Sequence, residues 1–134
     1  MRHTGGCLCG AIRYEVEGPL GPLVFCHCGQ CRKAQGTAFA SSVPVPVARF
    51  TLVSGADKLK CYRASAPKGR YFCAECGSPI YSRIDGAETL RLRAGSLDAP
   101  VALVPAAHIF VADKASWFDI TDDLPRHPAR EPGR

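Results

Sequence analysis

The chain is 134 residues long, 46% hydrophobic and 22% charged, with a formal net charge of +5. That length suits one domain able to bury a core without help from metal, and the composition excludes a disordered or fibrous chain. The longest apolar stretch, 101–112, is broken by Pro105 and His108, which excludes a membrane-spanning helix.

Residues 1–6 read Met-Arg-His-Thr-Gly-Gly and lack the apolar core of a signal peptide, so the chain is expected in the reducing cytoplasm. Over 11–17 the residues alternate, with Ile12, Tyr14 and Val16 on one face and Arg13, Glu15 and Glu17 on the other; this predicts a half-buried strand. Gly18-Pro19 ends it. A short buried strand follows at 23–25, and 30–35 is the one helical segment. Further strands are predicted at 38–43, 49–53, 59–63, 70–73, 80–84, 90–94 and 108–111. Their separators are Pro44-Val45-Pro46, Ser54-Gly55, Pro67-Lys68-Gly69, Asp85-Gly86 and Gly95-Ser96. Many short strands between Gly and Pro turns predict an all-β domain over 1–125. The remainder, 126–134, is rich in Pro and Arg without apolar anchors and is expected to be a disordered basic tail.

The most specific feature lies in the cysteines. Seven of the eight fall into three clusters, Cys7-Leu8-Cys9-Gly10, Cys26-His27-Cys28-Gly29-Gln30-Cys31 and Cys73-Ala74-Glu75-Cys76-Gly77. Buried reduced cysteines are common as small core residues, but this clustering is metal-ligand spacing. Cysteines two apart on an extended segment sit about 7 Å apart, beyond disulfide reach. Thiolate-rich sets favour zinc, with iron next. Gly10, Gly29 and Gly77 each follow the second cysteine of a cluster, where a knuckle that aims N–H groups at sulfur calls for positive φ.

Spacing alone does not say which clusters meet. The tightest arrangement joins Cys7 and Cys9 to Cys73 and Cys76 as a closed four-thiolate site, leaving Cys26, Cys28 and Cys31 as an open three-ligand site of the kind catalytic zincs occupy. Seven thiolates and two Zn²⁺ add a net charge of −3, which brings +5 to about +2 and removes most of the basic bias that nucleic-acid binding would need. Cys61 stands alone, either as an inward strand cysteine or as a fourth ligand to the open site. His27, flanked by Cys26 and Cys28 on an extended segment, points away from both and is expected not to be a ligand. His108 reads as a general acid or a satisfied core histidine, and Trp117 and Phe118 as core or pocket wall.

With Cys7-Leu8-Cys9-Gly10, Cys26-His27-Cys28-Gly29-Gln30-Cys31-Arg32-Lys33 and Phe72-Cys73-Ala74-Glu75-Cys76-Gly77-Ser78-Pro79 in order, the chain resembles the glutathione-dependent formaldehyde-activating family. That family groups S-(hydroxymethyl)glutathione synthase-like enzymes with centromere protein V-like domains. Gly95-Ser96-Leu97-Asp98 and the 108–117 segment are similar to its C-terminal pattern. The resemblance implies a β-tent, with short antiparallel sheets closed by a structural zinc. It implies two zincs per chain, a structural one on Cys7, Cys9, Cys73 and Cys76 and a catalytic one on Cys26, Cys28 and Cys31. The implied activity is that of a carbon–sulfur lyase acting on the adduct of a small thiol, glutathione, with formaldehyde. Something must protonate the alkoxide; water suffices for formaldehyde, and His27 is the side-chain candidate. Glutathione's carboxylates need cations, and Arg32, Lys33, Lys68 and Arg70 flank the knuckles. The competing reading is a non-catalytic zinc-stabilised module that binds a protein or nucleic acid. The sequence shows no basic patch interleaved with exposed aromatics, which argues against a nucleic-acid partner.

Overall fold

Ile12, Tyr14 and Val16, the apolar side of the first predicted strand, are each no more than 1% exposed, and they form one wall of the core. The computed structural model describes residues 1–98 and 100–132. In chain order its elements are strands β1 (Arg2–Gly6), β2 (Arg13–Glu17) and β3 (Leu23–Cys26), helix α1 (Gly29–Gln35), then β4 (Ala40–Pro46), β5 (Phe50–Ser54), β6 (Leu59–Ser65), β7 (Lys68–Cys73), β8 (Pro79–Ile84), β9 (Thr89–Arg93) and β10 (Pro105–Ile109). They build two open sheets, one in the order β1-β2-β5 and a larger one in the order β10-β3-β4-β9-β8-β7-β6. Neighbours are antiparallel apart from β10, which runs parallel to β3. The all-β expectation holds, and no helix among the described residues is long and apolar enough to cross a membrane.

The core lies where the small sheet covers the middle of the large one. Ile12, Tyr14 and Val16 pack with Val43 and Val45 of β4, Leu90 and Leu92 of β9, and Ile80 of β8. Polar clasps hold the small sheet in place. The Tyr14 hydroxyl lies 2.7 Å from Ser96 Oγ, and Asp98 accepts from Thr4 Oγ1 at 2.6 Å and from Arg13 Nη2 at 2.5 Å. Because Leu92 is fully buried, Leu92→Ala is expected to cost about 2–5 kcal/mol through lost transfer energy and the cavity left behind. Urea denaturation measures this, and a loss under about 1 kcal/mol would contradict the central place of β9.

Three expectations are corrected, and one strand lies where none was predicted. β1 has no apolar alternation to reveal it, and it forms because its register from Arg2↔Glu17 to Gly6↔Arg13 pairs it to β2. Pro44-Val45-Pro46 does not end a strand. β4 pairs with β3 only through Ser42 and with β9 through Pro46, so beyond Ser42 one side of β4 is an edge, where a proline's missing donor costs nothing. β10 ends at Ile109 because Phe110 adopts φ 54°. The expected disordered tail is instead docked: His108 N donates to Pro125 O, His127 N to His108 O and Phe110 N to Ala129 O, and Glu131 pairs with Arg91 at 3.3 Å. These backbone bonds replace the apolar anchors whose absence suggested disorder. Gly133 and Arg134 lie outside the described residues.

Candidate metal centres

Turns and strand ends bring four cysteines together. Cys7 and Cys9 sit on the turn between β1 and β2, Cys73 closes β7, and Cys76 sits on the turn before β8. Their sulfurs all lie within 4.8 Å of one another, with Cys7 to Cys9 at 3.6 Å and Cys9 to Cys73 at 3.8 Å. A tetrahedral zinc with Zn–S bonds of about 2.3 Å spaces its sulfurs about 3.8 Å apart, so this set fits the ion. Gly10 at φ 82° and Gly77 at φ 79° make the turns, and Gly10 N and Gly77 N donate to Cys7 O and Cys73 O. Two of the sulfurs, those of Cys7 and Cys76, have polar neighbours. Ile12 N donates to Cys7 Sγ at 3.2 Å, and Ser78 Oγ lies 3.2 Å from Cys76 Sγ. That hydroxyl, followed by the backbone N–H groups of residues 9 and 78, lowers the Cys76 thiol to about 5.

The second cluster is local. β3 delivers Cys26, Cys28 caps α1, and Cys31 lies in its first turn, with Cys31 N donating to Cys28 Sγ at 3.3 Å. These three sulfurs also lie within 4.8 Å of one another, the donor set of a three-ligand zinc site. Gly29 is not among the positive-φ glycines; it starts the helix instead of making a knuckle turn. Cys31 is held far below the usual thiol value, first by hydrogen bonds from the Cys26 and Cys28 thiols, then by the positive charges of Arg93 and Arg70 against the opposing effect of burial. Cys26 is pushed far up by its contacts with Cys28 and Cys31.

This cluster opens onto a cavity of about 800 Å³, a volume typical of small-molecule sites, lined by Cys26, Cys28 and Cys31 but by no member of the four-cysteine set. Its walls are cationic, with Arg32, Lys68, Arg70, Arg91, Arg93, Lys114 and Arg130 set against Asp113. Of the four cations expected from sequence, Arg32, Lys68 and Arg70 line it; Lys33 is exposed and does not. Cys61 joins neither cluster. It lies on β6 facing Gly69, with Arg63 Nη1 3.2 Å from its sulfur.

The structure does not bring His27 to the cavity. Its side chain points away from its cysteine neighbours and is 0% exposed, packed against Phe39 and Phe118. His27 Nε2 lies 2.8 Å from His108 Nδ1, and His108 Nε2 lies 2.9 Å from Asp122 Oδ2. Burial and then the His108 charge lower His27 to about 4, which leaves it neutral at physiological pH. It buttresses the Cys26–Cys28 segment, and the expectation of a proton donor is withdrawn. His108 belongs to the same buried chain, as the core reading held. Trp117 is 70% exposed and no core residue, whereas Phe118 stacks edge-on with Phe39.

Sequence reasoning missed Arg91, Arg93, Lys114, Arg130 and Asp122. A signal existed for the first two: Arg91 and Arg93 pair across the sheet with Ser82 and Ser42, a polar row on central strands, and such a row marks a lined surface.

The family model described as glutathione-dependent formaldehyde-activating enzyme matches residues 2–113. A Halomonas elongata protein whose name carries the same description is 30% identical over 130 residues, covering 90% of this chain and 82% of its own. Relatives from Aspergillus flavus and Aspergillus oryzae, named for the same activity, are each 27% identical over 113 residues, 83% of this chain. This chain spans only 53% of those fungal proteins. A crystal structure of a Rhodobacter sphaeroides protein shares the fold with a TM-score of 0.63 and 25% identity, over 76% of this chain and 97% of that one.

Proposed function

We propose, from the premise that this chain belongs to the glutathione-dependent formaldehyde-activating enzyme family, that it is a two-zinc carbon–sulfur lyase of the cytoplasm. Its substrates are a small acidic thiol and an aldehyde, with glutathione and formaldehyde, the pair in the family's description, as the leading choice. The observation that carries this reading is the division of labour between the clusters. Four cysteines close on one another away from the cavity, while three open into it.

Cys7, Cys9, Cys73 and Cys76 would hold a structural zinc, and Cys26, Cys28 and Cys31 a second. Bound there, zinc supplies Lewis acidity that favours the thiolate of an incoming thiol. The chain's own residues do the rest. The three cysteines would hold the zinc where the cavity opens onto it, so that a thiol entering the cavity would meet the ion. Arg32 and Lys68, joined by Arg130, pair with the thiol's carboxylates and orient it. The thiolate attacks the carbonyl carbon, a C–S bond forms, the carbonyl π pair moves to oxygen, and water protonates that oxygen; lysis runs the same steps backwards. His27 takes no part.

Native mass spectrometry tests this by counting zinc and ligand per chain with and without millimolar glutathione. Two zincs and one glutathione adduct, strengthened by formaldehyde, are expected. Two zincs with no thiol adduct would refute the glutathione reading and favour a zinc-stabilised binding module.

A further inference from the structure

Arg93 is 7% exposed, and its Nη1 donates to Ser42 Oγ at 2.6 Å. Among the described residues no carboxylate pairs with it. A buried guanidinium is costly unless an anion faces it. A second guanidinium lines the same cavity: Arg70, also without a carboxylate among the described residues, donates to Gln30 Oε1 at 3.2 Å and directs Nη1 and Nη2 to Cys31 Sγ at 3.9 and 4.0 Å. Two cations in one cavity wall without a carboxylate repel each other unless something near both is negative. The sulfurs of Cys26, Cys28 and Cys31, which are thiolates when they hold a metal, line the same cavity as both arginines.

We propose that Arg93 and Arg70 form a fixed cationic backing for the three-cysteine site, matched to a fourth ligand that is itself an anionic sulfur. This deepens the proposed function and rests on it. The charges decide the match. Zn²⁺ with three thiolates has net charge −1, and a fourth thiolate makes it −2, which equals the charge of the two guanidiniums. A neutral fourth ligand leaves one guanidinium uncompensated in a partly dry wall, where charge–charge terms are larger than in water. The backing therefore selects thiolate over neutral donors before any contact with the rest of the substrate. This separates buried Arg93 from Arg130, which lines the same cavity but is exposed. Arg93 and Arg70 are thus positioning residues that act through the ligating sulfurs.

The test uses the full chain loaded with Co²⁺, whose visible absorption reports the donor set. It is titrated at pH 7 with 2-mercaptoethanol, a thiol with no carboxylate, and separately with imidazole, a neutral ligand. Arg93→Met is expected to keep two metals per chain, to bind 2-mercaptoethanol at least tenfold more weakly and to bind imidazole unchanged, with Arg93→Lys recovering most of the loss. Should Arg93→Met fail to fold, Arg70→Met on the more open neighbour carries the same expectation with a smaller, severalfold loss. Equal weakening toward both ligands, or no weakening toward the thiol while the wild type binds it, overturns the backing and leaves the proposed function standing. A wild-type protein that binds no thiol overturns both.

Discussion

Cys73→Ser is expected to abolish the folded state at 25 °C, seen as loss of the near-UV circular dichroism signal and of the cooperative thermal transition. Cys73 is 0% exposed. It pairs with Leu59 across to β6, its N–H donates to Ser78 O, and its carbonyl accepts from Gly77 N. Its sulfur meets that of Cys9, 64 residues earlier. Serine keeps the volume but is a poor zinc ligand, and the other three thiolates would remain crowded without a full counter-charge. Structural zinc contributes on the order of 10–16 kcal/mol in small domains, against a net stability of about 5–15 kcal/mol for a whole protein. Losing it therefore exceeds what the core can hold. A Cys73→Ser protein that retains two zincs and melts within a few degrees of wild type would remove the four-cysteine set from its structural role.

Cys31→Ser is expected to do the reverse, removing activity with the fold intact. Turnover of the thiol–aldehyde adduct should fall by roughly 10³-fold or more, beyond the 10- to 100-fold typical of losing a supporting partner, and one of two zincs should be lost. The cost to folding should be about 1–3 kcal/mol, that of burying a hydroxyl where a thiol had fitted. Cys31 is 2% exposed, but it sits on a seven-residue helix at the cavity wall, outside the core formed by Val43, Ile80, Leu90 and Leu92. Zinc counting and a thermal melt, run beside the activity assay, separate the two effects. Global unfolding of Cys31→Ser would mean that both clusters are structural.

The sequence carried the cysteine clusters and the all-β class well, because both rest on short-range patterns: ligand spacing, two-residue alternation, and turns of glycine and proline; which clusters meet is a long-range fact, with Cys9 and Cys73 64 residues apart. It carried sheet edges poorly. Whether Pro44 lies inside a strand depends on where β3 stops, a fact located some twenty residues earlier in the chain. In the sequence Arg91 and Arg93 alternate with Leu90 and Leu92, which does not say what the polar face meets. Only the pairing of β9 with β4 and β8 makes that face the cavity wall. His27 could be aimed correctly from local geometry, but its partners His108 and Asp122 come from distant segments. Nothing local indicated that its side chain would be sealed off from the cavity. The docked segment from Pro125 to Glu131 was missed because its anchoring is by backbone hydrogen bonds, which composition does not record.

The two clusters also differ in when they can be completed during synthesis. Cys28 and Cys31 are three residues apart, so the open site can take metal as soon as a short stretch of chain has emerged. The closed site must wait for Cys76 and then bring together sulfurs 64 residues apart. Each doubling of loop length adds about 0.6 kcal/mol of closure entropy, so the longer loop starts at a disadvantage of about 3 kcal/mol. Under the proposed two-zinc reading, a nascent chain short of metal is expected to load the local site first and fold last, since the ion proposed to complete the fold would be captured later. Zinc limitation during expression should then yield a soluble-to-aggregated ratio that follows occupancy of the four-cysteine site alone.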